Sequence, residues 1–208
     1  MALEFNDKQI HILQVAEKLF AENGYDGTSI RQIAQEAAIN VAMVSYYFGS
    51  KEKLLERLIF WRTQDLKIQL ENLFNEPLTP IQKVEKYVAL YIQKINSNRQ
   101  MYQILQFEIS YNKRAMDLES FTAVKKGNLA SLKKIIEEGQ AAKVFKSNIT
   151  VPLISPTLIG TFFHFHTNRS FYEEVLNIDS EAKYNAYVEK ELTEHIQQII
   201  KSLILDEK

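Results

Sequence analysis

Residues 29–51, SIRQIAQEAAINVAMVSYYFGSK, constrain this chain more than any other stretch. Ile30, Ile33, Ala34 and Ala37 recur at helical spacing and make one apolar face. Ser29, with Gln32 three residues on, fits a capping box that opens that helix. Asn40 suits the N-cap of a second short helix, in which Val44 and Phe48 stand at i and i+4 on the inward side. Ala42, Met43, Ser45, Tyr46 and Tyr47 are left facing out. Two short helices set across a tight turn make the helix-turn-helix, whose second helix enters a DNA major groove. Ser50 then caps a third helix that begins at Lys51.

These residues resemble a known family. Gly24-Tyr25, Thr28-Ser29-Ile30, Ile33-Ala34, Ala37 and Tyr46-Tyr47-Phe48, followed by Ser50-Lys51-Glu52 and Leu54, fall on the pattern of TetR-type transcriptional regulators at its spacing. The likeness covers roughly residues 5–60. Ala38-Ile39-Asn40 stands where the family usually has Gly-Val-Ser, and Ser45 where it most often has tyrosine. A right-handed or bridge conformation is expected of Ala38. The resemblance implies an all-α protein: an N-terminal three-helix DNA-binding domain over 5–60, and a helical ligand-binding and dimerisation domain over 61–208. It implies a homodimer on a palindromic double-stranded operator, most simply a repressor released by a small apolar or aromatic ligand. An activator of the same fold, or a helical small-molecule or lipid-binding module, remains open. The residues expected at DNA are Thr28, Ser29, Arg31, Asn40, Val41, Ala42, Met43, Ser45, Tyr46, Tyr47 and Lys51.

Charge argues for a local use of cations. The chain carries 25 basic and 26 acidic residues, and residues 1–60 hold six basic against eight acidic side chains, so this is no basic domain. Phosphate neutralisation would therefore fall to few groups. Lys51 and Lys53 sit in the first turn of their helix, where the macrodipole disfavours cations and where an anion would be welcome. Cysteine is absent, which excludes disulfides and thiolate metal sites. The opening MALEFNDKQ reads as no signal peptide, and no uncharged apolar run is long enough to span a bilayer, so a soluble cytoplasmic protein without a membrane role is expected.

Catalysis finds no purchase. His164 and His166 are two apart, about 200° around a helix, and cannot grip one metal as an i, i+4 pair would. There is no His-Glu-x-x-His, no Gly-x-Ser-x-Gly elbow and no Gly-rich phosphate loop. Neither an enzyme nor a cofactor or metal protein is expected.

The remainder reads as helices with a few breaks. Ile10, Leu13, Ala16, Leu19 and Phe20 stripe a first helix that Asn23-Gly24 ends. A long helix runs unbroken from Ser50 towards Phe74, so both domains share it. Thr79-Pro80 opens the next, at about 81–96, followed by helices at about 99–112 and 120–138, the last ended by Gly139. A helix beginning near Pro152 and Pro156 should reach about Glu174, and a final one spans about 180–205. Phe162, Phe163 and Phe165 make the penultimate helix apolar around much of its circumference, as a cavity lining or a subunit interface would be. Tyr91, Tyr102, Phe107, Glu108, Phe121, His164 and Asn168 are the candidate ligand-pocket residues.

Overall fold

A computed structural model describes residues 5–111 and 119–206, leaving aside the side chains of 106–111, 119 and 120. Among the described residues the chain is helical and holds no strand. The helices are α1 (Asp7–Gly27), α2 (Ile30–Glu36), α3 (Val41–Phe48), α4 (Lys51–Leu73), α5 (Pro80–Ser97), α6 (Arg99–Tyr111), α7 (Glu119–Ala141), α8 (Ile154–Thr167), α9 (Arg169–Val175), α10 (Glu181–Tyr187) and α11 (Thr193–Ile204). A π turn, Val188–Leu192, joins the last two. Two compact units result: one of residues up to Asp65 with Asn98–Ala123, the other of Leu66–Ser97 with the chain from Val124 on.

The first unit buries the apolar stripe of α1 (Ile12, Leu13, Ala16, Phe20) against Ile33 and Ala34 of α2 and Val44 and Phe48 of α3. Leu54, Leu55, Leu58 and Ile59 of α4 close the same core. Helix α6 joins it too, through Met101, Ile104 and Leu105 packed beside α1. Asn6 starts α1 with a full capping box, and Gly24, at φ 72°, breaks its line as the Asn23-Gly24 signal requires.

The turn between α2 and α3 differs from expectation. Ala38 has φ 52°, in the left-handed region, not a right-handed or bridge conformation. The hydrogen bonds give the reason: Ile39 N–H donates to the Ala34 carbonyl (2.9 Å) and Ala38 N–H to that of Gln35 (3.1 Å). That pair is a Schellman motif, which needs a left-handed residue past the helix end whatever its side chain.

In the second unit α5 and α7 pack antiparallel. At one end the buried Lys83 ammonium donates to Glu138 (2.8 Å) and to the Phe74 carbonyl (2.8 Å); at the other, Asn128 Nδ2 donates to the Tyr91 hydroxyl (2.9 Å). Helix α11 lies on α5 and α8, tied by Lys201 to Glu85 (2.7 Å) and by Gln197 Nε2 to the Glu85 carbonyl (2.9 Å). Phe162, Phe163 and Phe165 are all buried within this unit, so their girdle of apolar surface needs no second chain.

Three helix boundaries depart from the sequence reading. Gly139 does not end α7, which runs on to Ala141; a methyl at Gly139 would stand 2.0 Å from the Phe145 ring, so its role is close approach. The helix from 154 breaks at Asn168, whose backbone N–H (3.2 Å) and side-chain amide (2.8 Å) both reach the His164 carbonyl. The last helix is split by the π turn, where the Thr193 hydroxyl donates to the Val188 carbonyl (2.8 Å).

Candidate nucleic-acid interface and ligand residues

Local sequence sets the recognition surface. The capping box predicted at α2 is present, with Gln32 N–H donating to Ser29 Oγ (3.2 Å) and Ser29 N–H to Gln32 Oε1 (2.8 Å). Asn40 Oδ1 accepts from Ala42 N–H (2.8 Å) and starts α3. With Val44 and Phe48 anchored in the core, α3 turns Val41, Ala42, Ser45 and Tyr46 to solvent, and Tyr46 is 81% exposed. Met43 and Tyr47 are half-buried; the Tyr47 ring packs on the core and stands edge-on to Tyr46, centroids 5.4 Å apart. Arg31, on α2, is exposed.

Thr28 and Lys51 are placed otherwise than outward. Thr28 is 2% exposed, and its hydroxyl lies within hydrogen-bond distance of the Leu19 (3.0 Å) and Gly24 (2.8 Å) carbonyls. The Lys51 ammonium donates to the carbonyls of Tyr25 (2.9 Å) and Thr28 (2.8 Å) and sits 4.2 Å above the Tyr25 ring. These oxygens stand at the C-terminal end of α1, in its last turn and at its C-cap, so the ammonium is satisfied there despite the unfavourable dipole of α4. The partnership lies 26 residues away in sequence, beyond the reach of any local pattern; only the Gly24-Tyr25 pair hinted at it.

Electrostatics around the surface are tempered by pairing. Lys18 bridges to Glu36 (3.1 Å), and hydrogen bonding to that carboxylate raises the lysine's pKa. Hydrogen bonds from its own backbone N–H, then from the Ser50 and Tyr25 side chains, hold the Glu52 carboxyl below the usual range. Glu17, buried at 5% exposure, is bound by Arg62, whose guanidinium lies 4.0 Å over the Trp61 ring. That last pair went unread in the sequence, since its members are 45 residues apart.

The candidate ligand residues fall in separate places. Tyr102 and Phe121 pack against the core of the first unit. Tyr91 is buried in the second unit, 5.1 Å from the Tyr87 ring. His164 lines an open groove of about 580 Å³ with Gly160, Tyr172, Val175, Tyr187 and His195. Asn168 is committed to the His164 carbonyl. Phe107 and Glu108 lie outside the described side chains. Beside Tyr91, the Tyr87 hydroxyl and Asn128 Oδ1 are buried without a hydrogen-bond partner. Burial pushes both tyrosine hydroxyls upward, Tyr87 well above its ordinary value, so both stay protonated donors. Among the described residues no group of three or more His, Asp or Glu could hold a metal, and no helix is long and apolar enough to cross a membrane.

Comparison with known proteins agrees with this architecture along nearly the whole chain. The profile of the tetR family of bacterial regulatory proteins matches residues 12–58, and that of the tetracyclin repressor-like C-terminal domain matches residues 80–200. The HTH-type transcriptional repressor NicS of Pseudomonas putida is 28% identical over 180 residues, 81% of this chain and 80% of that protein. The fatty acid degradation regulator FadR of Bacillus halodurans has the same fold, with a TM-score of 0.74 at 19% identity over 95% of this chain and 96% of that one. FadR of Bacillus subtilis, solved in complex with stearoyl-CoA, superposes with a TM-score of 0.67 at 20% identity, covering 92% and 96% of the two chains. With both family profiles matched, the first over the helix-turn-helix and the second over the C-terminal helices, the chain belongs to the TetR family and is a DNA-binding transcriptional regulator, not an enzyme.

Proposed function

We propose that the protein is a cytoplasmic homodimeric repressor that holds a palindromic operator and releases it when a small apolar or aromatic molecule binds its C-terminal domain, residues 61–208. The observation that carries the DNA half is the outward face of α3, where an 81% exposed tyrosine is held beside Ser45, Ala42 and Val41 on a rigid core. In this reading Val41, Ala42, Met43 and Ser45 meet base edges and Arg31 reaches one guanine, while Ser29, Tyr46 and Tyr47 meet phosphates and fix register, and Lys51 braces the start of α4 against the end of α1. Asn40 and Thr28 act from within, the first by capping α3 and the second by closing the end of α1.

Dimerisation is supported by apolar side chains that the second unit leaves uncovered. Leu153, Phe171, Val175 and Leu203 are 61, 60, 57 and 48% exposed, and Phe171 and Val175 stand four residues apart on α9, which sets two large apolar side chains on one face. The sequence reading left Phe162, Phe163 and Phe165 open between a cavity lining and a subunit interface, and their burial within the unit leaves the interface to these other side chains. The ligand half is supported by the cluster of polar groups that Tyr87, Tyr91 and Asn128 bury amid apolar helices, with the Asn128 carbonyl oxygen left as an acceptor. An uncharged polar group on an apolar body fits that set. Binding there would bias α4, which belongs to both units, and so couple the two sites.

The test is a sedimentation and operator-binding measurement on the full chain and on the Phe171→Asp/Val175→Asp double variant. The wild type should sediment as a dimer at micromolar concentration, and the variant as a folded monomer. Specific operator affinity should fall by at least about 100-fold, because a lone half-site loses the advantage of a linked second one. A wild-type monomer that binds a palindrome with full affinity would refute the proposal.

A further inference from the structure

We infer that this regulator reads its operator chiefly through thymine methyl groups, so that its half-sites are rich in A·T pairs and each requires at most one guanine. The inference rests on α3 being the groove-entering helix, as proposed above.

Between Val41 and Phe48 the sequence VAMVSYYF holds no Arg, Lys, Asn, Gln, Asp or Glu. Guanine and adenine are singled out in the major groove by two-pronged side chains, Arg or Lys for the first and Asn or Gln for the second, and cytosine by carboxylates. None of these stands on α3. The amide at its boundary, Asn40, has its oxygen engaged by Ala42 N–H at 2.8 Å, so it cannot offer the oxygen half of an adenine fork without undoing its cap. Ser45 and Tyr46 bring single hydroxyls, which bond to either base edge or to phosphate and discriminate weakly.

What α3 does present is apolar. Recognition helices meet base edges with their N-terminal residues. Here those are Val41, 39% exposed, then the exposed Ala42 and the half-buried Met43. The thymine C5-methyl is the apolar group that a base pair displays in the major groove. Met43 has three rotatable bonds and a polarisable sulfur, which let it settle against a methyl whose position varies with local twist. Helix α2 crosses the backbone rather than entering the groove. Of its exposed side chains, Arg31, Gln32, Gln35 and Glu36, Arg31 is the one of the type that singles out guanine. One guanidinium per protomer allows one guanine per half-site.

The experiment changes the DNA and leaves the protein intact. Full-length protein is used to select half-sites from random duplexes, and each required thymine is then replaced by deoxyuridine, which deletes the methyl alone. Affinity should drop by about fourfold for each required thymine, the worth of one buried methyl-sized group. Replacing the single required guanine by 7-deazaguanine, and separately testing Arg31→Ala, should relax the same one position. Selected half-sites demanding two or more guanines, or an all-deoxyuridine operator bound within about twofold of its parent, would overturn the inference while leaving the DNA-binding function standing. A library from which no sequence is enriched would overturn both the operator reading and this one.

Discussion

Ala38 occupies a backbone conformation that suits glycine, because the Schellman bonds ending α2 require φ 52° there. An L-residue in that region costs about 1–2 kcal/mol, partly offset by the greater unfolded freedom of glycine. Ala38→Gly should therefore stabilise the protein by about 0.5–1 kcal/mol, read as a rise in the denaturation midpoint at constant slope. No effect, or a loss, would mean the turn is not strained. The sequence made this position visible, since alanine stands where relatives usually carry glycine, but not its dihedral angle. That angle is set by hydrogen bonds to carbonyls three and five residues back. Thr28 and Lys51 teach the same lesson. Their residue types marked them as polar contacts, whereas the carbonyl oxygens of the α1 end, brought close by folding, draw both groups inward.

Helices announce themselves through periodicity and caps, and their ends are decided by what packs there. The box at Ser29 was legible because both partners lie within three residues of each other, and the boxes at Asn6 and Thr79, which went unread, have the same spacing. Gly139 was legible as a glycine yet misplaced as a terminator, because the ring that explains it comes from Phe145 beyond the helix. Gly139→Ala should destabilise the protein by about 1–3 kcal/mol, the usual range for an overpacked interior position, even though alanine is the better helix former. Chemical denaturation of the variant checks this. A stabilised Gly139→Ala would show that Phe145 does not need the space. The break at Asn168 follows similar logic, since asparagine competes with the helix for its own fourth-back carbonyl.

At the scale of the whole molecule, the recognition half was readable because its determinants are close in sequence. The candidate ligand residues scattered, because aromatic content alone does not say which core a ring will join: Tyr102 and Phe121 went to the first unit and Tyr91 to the second. Buried Tyr87 offers a global test. Its hydroxyl titrates well above the unfolded value of 10.0, owing first to burial. The linked stability is therefore fully present below that unfolded value and is lost as pH rises through the folded one. Urea unfolding at about pH 8 and about pH 11 should show the alkaline loss, and Tyr87→Phe should lessen it without weakening the protein at pH 8. An unchanged alkaline limb in the variant would place the titration elsewhere. The π turn carries a consequence of another kind. Tyr184, Val188, Leu192, Ile196, Ile200 and Ile204 are buried at strict intervals of four, and each such step overshoots an ideal helical turn by about 40°. Left uncorrected, that row would wind from the interior to the outside before it ended. The wide turn acts as a single-residue insertion that rotates the later part back by roughly one residue's angle. The length of the chain between Val188 and Leu192 is thus as much a determinant of the core as its side chains. Lineages should tolerate substitutions at Glu189, Lys190 and Glu191 far more readily than the loss of any one of them.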